Sequence, residues 1–196
     1  SSKEFPYYKR QSLYFNSKSL DLQKPKRTNA PFWSFSSKGT KDNKQVSQVL
    51  NKAVGFDKNI RKLSLAFGSD PEITDKDLSF LAQGLKRLQS LQILTFDLGD
   101  CSHITDTGLS YLAKELKGLR SLKSLALLFS GCQKFTYTGL VSLSRSLKSM
   151  TLLKDVRLKL FNGDRITENG LYQLDGSFNR LTQLKNITLQ ILCCGN

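Results

Sequence analysis

Four cysteines and a single histidine are the residues of this chain with the widest chemical range. Cys101 and Cys132 lie 31 residues apart, and Cys194 falls in the same column two intervals later, with Gly163 in between. Thiols stacked about 5 Å apart on neighbouring strands could hold a metal ion if further ligands converged on them. The same spacing suits small side chains that fill the turn after a strand, and this is the reading adopted, with no metal site. Cys193 and Cys194 would be reactive only beside a charge that lowers a thiol pKa, and their sequence neighbours supply none.

Any Ser/His/Asp or Cys/His centre would have to be built around His103, which falls in a turn between Cys101 and a helix start. The chain has no glycine-rich phosphate loop, no HExxH and no CxxC pair. Asn186-Ile-Thr188 is a formal glycosylation sequon, but it opens a predicted strand. No catalytic residue, no cofactor and no enzymatic activity are expected.

The elements that position these residues follow from an internal repeat. ITDKDL begins at Ile73, ITDTGL at Ile104, FTYTGL at Phe135 and ITENGL at Ile166, each 31 residues after the last. Columns of apolar residues keep the same period: Leu81, Leu112, Leu143 and Leu174; Leu91, Leu122, Leu153 and Leu184. Each unit carries two periodicities. Segments such as Leu94-Thr-Phe96-Asp-Leu98 alternate apolar and polar residues, which predicts five short strands starting near Leu63, Leu94, Leu125, Val156 and Ile187. Between them, apolar residues recur at steps of three and four, as in Leu109, Leu112, Leu116 and Leu119, which predicts helices with one buried stripe. Thr74, Thr105, Thr136 and Thr167 precede these helices as N-caps, and Asp75, Asp106 and Glu168 suit their positive ends.

A strand and a helix in every 31 residues, with Leu-x-x-Leu-x-Leu spacing, resembles the leucine-rich repeat family, with long units of the ribonuclease-inhibitor type. The run from Cys101 to Leu109 resembles its cysteine-containing subclass, found in F-box adapters and some mitochondrial assembly factors. The resemblance spans about residues 43 to 196 and implies an α/β solenoid with parallel strands on a concave face and helices on a convex face. It implies an architecture rather than one function, because such folds bind unrelated partners.

Two ends of the solenoid follow from the column arithmetic. Subtracting 31 from Phe80, Leu81, Leu85 and Leu91 reaches the apolar Val49, Leu50, Val54 and Ile60, so residues 43 to 55 are expected to form a capping helix. After the fifth strand no further helix follows, so Ile187, Leu189 and Ile191 are expected at an open edge covered by a neighbouring subunit. On the concave face the outward positions form two columns, of which Asp97, Leu128, Arg157 and Lys159 are the candidate partner contacts.

Charge divides the chain. Residues 1 to 62 hold 14 Lys and Arg against four acids, a net of +10, while the whole chain carries +14. Residues 1 to 42 are read as an extended basic arm that includes Lys9, Arg10, Lys24, Lys26 and Arg27, interleaved with aromatics such as Tyr7, Tyr8 and Trp33. Basic residues can neutralise phosphates while aromatics stack on bases or fill protein pockets, so RNA is a possible partner of the arm. Deleting residues 1 to 40 is expected to leave the solenoid folded. No apolar run is long enough for a membrane span.

Taken together, these features predict a non-enzymatic scaffold subunit of a large intracellular assembly. A ribosomal or other ribonucleoprotein subunit is favoured, and a mitochondrial setting over a cytosolic one; a chain numbered from Ser1 fits a removed presequence or a fragment. The alternative is a protein-only adapter, as a respiratory-complex, ciliary or ubiquitin-ligase component.

Overall fold

The computed structural model describes residues 32–36, 59–67, 73–129, 131–132, 134–161 and 167–192. Within them, six strands form one parallel sheet in sequence order: β1 (Phe32–Ser36), β2 (Lys62–Ala66), β3 (Ile93–Asp97), β4 (Ser124–Phe129), β5 (Asp155–Phe161) and β6 (Asn186–Leu192). Four helices of 11 residues follow β2 to β5: α1 (Asp75–Leu85), α2 (Asp106–Leu116), α3 (Tyr137–Leu147) and α4 (Glu168–Phe178). This is the expected leucine-rich repeat solenoid. The proposed capping helix at 43 to 55 lies outside the described residues.

The alternation predicted for the strands is met. Leu63, Leu94, Leu125 and Val156 share one register column and are each no more than 2% exposed, as are Leu65, Phe96, Leu127 and Leu158 in the next. Against them pack the helix stripes Leu78, Leu81 and Leu85 of α1 and their equivalents in α2 and α3, in one continuous core. Burial of each such side chain contributes about 1.5–3 kcal/mol. Where bulk is needed between strands and turns, aromatic rings meet at an angle: Phe67 and Phe96 at 5.8 Å, Phe129 and Phe135 edge to face at 4.9 Å.

One strand was not expected. β1 lies inside the segment assigned to the arm and pairs with β2 along its whole length, Trp33 standing opposite Leu63 and Phe35 opposite Leu65. The five expected strands are therefore β2 to β6, and the first 42 residues are not arm throughout. The offset from β1 to β2 is 30 residues, so column arithmetic with a step of 31 misses it.

All four threonines are N-caps, but the acids beside them do more than face a helix dipole. The Asp75 carboxylate accepts from the Thr105 backbone N–H at 2.8 Å and from the Thr105 hydroxyl at 2.6 Å. Asp106 accepts in the same way from Thr136, with its N–H at 2.8 Å, and also from Gly139 N–H at 3.1 Å. The first residue of one helix thus ties down the cap of the next. Gly108 and Gly139 make room for this: a Cβ on Gly108 would stand 2.3 Å from Asp75 Oδ1, and one on Gly139 2.5 Å from Asp106 Oδ1. In the first unit Asp77 takes the glycine position and caps locally, accepting from Thr74 N–H at 2.9 Å.

Candidate partner-binding face

Helices cover the inward face of the sheet, and the outward side chains of β2 to β5 stay half-buried or exposed, none joining the core. Parallel sheets are usually covered on both faces, so an uncovered one offers a firm surface to a partner. Register builds this face in rows. Ala66, Asp97, Leu128, Lys159 and Gln190 stand side by side, and Ser64, Thr95, Ala126, Arg157 and Thr188 form the row beside them. Neighbours within a row are about 4.8 Å apart.

Three of the four predicted contacts therefore become immediate neighbours: Leu128 sits between Asp97 on one strand and Lys159 on the next, and Arg157 lies two residues before Lys159 on β5. Asp97 is partly engaged, accepting from Gly99 N–H at 3.0 Å in a tight turn. The structure adds a third row that the column reading passed over: Lys62, Ile93, Ser124, Asp155 and Asn186. Its signal was present as the residue preceding each alternating pair, but the mixed types hide it. In this row Asn186 Nδ2 donates to Asp155 Oδ1, which commits the sequon amide to a neighbour.

The cysteine column is structural where it is described. Cys101 and Cys132 are free thiols with no exposed surface. Cys132 Sγ donates to Leu98 O at 3.0 Å, and Cys101 Sγ lies 3.6 Å from Phe67 O, so each thiol meets the strand end of the unit before it. Burial pushes the Cys132 thiol up to about 12, with Asp100 and Asp97 adding to the rise and a backbone bond at Cys101 opposing it. A thiol so held is neither nucleophile nor metal ligand at neutral pH. Among the described residues no three His, Cys, Asp or Glu side chains converge. His103 is exposed and forms a single parallel bridge with Thr74. Cys193 and Cys194 lie outside the described residues.

At the last strand the column changes environment. Ile187 is 49% exposed, whereas Val156 in the same column is 2% exposed. Leu189 is only partly buried against the core, and for Ile191 the backbone alone is described, in β6. Of the arm residues, Trp33 stands in β1; Lys9, Arg10, Lys24, Lys26, Arg27, Tyr7 and Tyr8 lie outside the described residues. No helix among the described residues is long and apolar enough to cross a membrane.

No family model and no curated protein matches the chain. Solved structures do. A tropomodulin C-terminal domain from Caenorhabditis elegans superposes with a TM-score of 0.59 over 79% of this chain and 85% of that one, at 14% sequence identity. The leiomodin-1 actin-binding site 2 gives 0.56 over 76% and 79%, at 15% identity. At these identities the likeness is one of fold: the chain shares the leucine-rich-repeat-like architecture of these domains.

Proposed function

We propose that this chain is a non-enzymatic scaffold that binds a protein partner on its concave sheet, across the third to fifth strands of the repeat. The observation that carries the reading is the row Asp97, Leu128, Lys159: an apolar centre between opposite charges, on a rigid parallel sheet whose outward face no described element covers. Such an apolar centre with a charged rim is how protein interfaces divide affinity from specificity. The name of one structural neighbour, an actin-binding site, agrees with a protein partner. Neither neighbour is named as a ribosomal or mitochondrial protein, so those subtypes draw no support from them.

The absence of enzymatic activity belongs to the same proposal, resting on the buried, protonated Cys132 and the exposed turn position of His103. So does an intracellular setting, on the free thiols of Cys101 and Cys132, and membership of a larger assembly. We further read the units as the cysteine-containing, ribonuclease-inhibitor-like kind, on their 31-residue period and buried thiol column.

The test is a photo-crosslinking amino acid placed at Leu128 in the native cell, with one at the convex Tyr111 as control. A discrete protein adduct from position 128, absent from 111 and lost in Leu128→Glu/Arg157→Glu, is expected. Adducts to RNA alone, or equal labelling from both positions, would sink the reading. Actin is the first purified probe to be set against the same variant.

A further inference from the structure

The two rims of the solenoid differ in what their charges do. On the rim where strands end and helices begin, the acids have internal work: Asp75 and Asp106 hold the next cap, Asp77 its own, and Asp97 a turn. On the opposite rim, where helices end and strands begin, the charges are basic and have little such work. Lys86, Lys117 and Lys148 are the C-caps of α1 to α3, where the helix dipole accounts for them. A second column has no such account. Arg61, Gln92, Lys123, Lys154 and Lys185 each precede a strand and are joined rung by rung: Gln92 N–H donates to Arg61 O at 2.8 Å, Lys123 to Gln92 at 2.8 Å, Lys154 to Lys123 at 2.7 Å and Lys185 to Lys154 at 2.7 Å.

Three lysines are thereby stacked on successive strands about 4.8 Å apart. Like charges directly opposite one another in a sheet destabilise it. Relief from acids is small: among the described residues the one printed ion pair of this rim joins Lys86 to Glu115 at 3.9 Å, and the Asp155 carboxylate accepts from Asn186. Repulsion that folding does not repay points to a ligand that does.

We infer that this basic rim binds the phosphate backbone of duplex nucleic acid, independently of the concave face. A line of point charges repeated at each strand suits a regularly charged polymer. Against a protein partner stands the composition of the rim: lysine is depleted at the centre of protein interfaces, and the one large exposed apolar side chain there is Leu152. Against single strands stands the lack of aromatics to stack on bases: the exposed aromatic side chains among the described residues, Phe80, Tyr111, Tyr137 and Tyr172, all belong to the helices. The contact is to phosphate and carries no sequence preference.

The experiment measures binding of the full chain to a fluorescent duplex of about 20 base pairs, as DNA and as RNA, between about 50 and 200 mM salt. Lys123→Gln/Lys154→Gln/Lys185→Gln should weaken binding at least about tenfold at the low-salt end and lower the slope of log K against log salt for the DNA by about 2 to 3, three phosphate contacts being lost. A control with the same charge change on the helices, Lys76→Gln/Lys114→Gln/Arg145→Gln, should stay within about twofold of the parent. Thermal unfolding checks that both variants are folded. Equal losses in both triples would reduce the effect to net charge and overturn the inference. So would binding that survives in the rim triple but disappears when Lys9, Arg10, Lys24, Lys26 and Arg27 are changed to Gln, or rim-dependent binding to phosphatidylserine vesicles without binding to either duplex.

Discussion

The carboxylate of Asp106, the first residue of one helix, accepts both the backbone N–H and the hydroxyl of Thr136, the N-cap of the next. A third bond from Gly139 N–H reaches the same group. Hydrogen bonds to a charged acceptor contribute about 1.5–3 kcal/mol each, less where partly exposed. Asp106→Ala should therefore cost about 2–4 kcal/mol in urea unfolding. A loss below about 0.5 kcal/mol would show that water replaces the carboxylate.

Gly139 and Asp106 form a coupled pair. A methyl on Gly139 would overlap the Asp106 carboxylate, so Gly139→Ala alone should cost about 1–3 kcal/mol. In an Asp106→Ala background the clash is gone, and the same change should become close to neutral. The coupling is read from a double-mutant cycle, and simple additivity would refute it.

Cys132 should resist alkylation in the folded chain at pH 8 and react once denatured. Its pH dependence has a definite sign. The folded thiol titrates at about 12 and the model value is 9.0, so between the two the folded state binds more proton than the unfolded one. The contribution of this residue to stability is full below pH 9 and declines as pH rises toward 12. Cys132→Ser should flatten that decline in denaturant melts taken across the window.

Val156 and Ile187 share a column but not an environment. Val156→Asp should unfold the chain, since it places a charge in a fully apolar core. Ile187→Asp should cost less than about 1 kcal/mol and should reduce self-association measured by light scattering. Equal destabilisation by the two would mean that Ile187 is covered in solution.

Truncation separates β1 from the residues before it. Removal of residues 1 to 31 keeps β1 and should leave the melting temperature within about 2 °C, whereas removal of residues 1 to 40 strips one edge strand and should lower it by at least about 5 °C. Equal melting of the two would restore the reading of the whole segment as arm.

What could be read beforehand follows from the range of each rule. The period of 31 placed β2 to β6 within a residue and all four N-caps correctly, because strand alternation and helix stripes are local patterns repeated four or five times. β1 was missed because it breaks the step by one residue and lacks the leucine columns. The role of Asp75 and Asp106 was half legible. Their place beside an N-cap suggested a dipole partner within one helix, while the bonds they make span 30 residues, beyond any rule that looks inside a single helix. Glycine two residues after each of them was the available sign, since a position kept free of side chain in successive units marks the close approach of something else. The concave contacts were legible as rows, because strict alternation settles facing. Which chemistry the face meets was not, since that depends on a molecule outside the chain.

Tyr137 stands where Asp75 and Asp106 stand in the units before it, and it has no carboxylate to offer Thr167, whose side chain makes no cap hydrogen bond. The seam between α3 and α4 is therefore held by packing alone where the earlier seams are also pinned by charge. In a molecule whose stability is a sum of nearest-neighbour couplings, the weakest coupling sets where it opens first. Amide protons of α4 and β6 should exchange ahead of the rest. Under tension applied between the two ends, the last unit should peel away as a separate event, leaving α1 to α3 standing as a shorter solenoid.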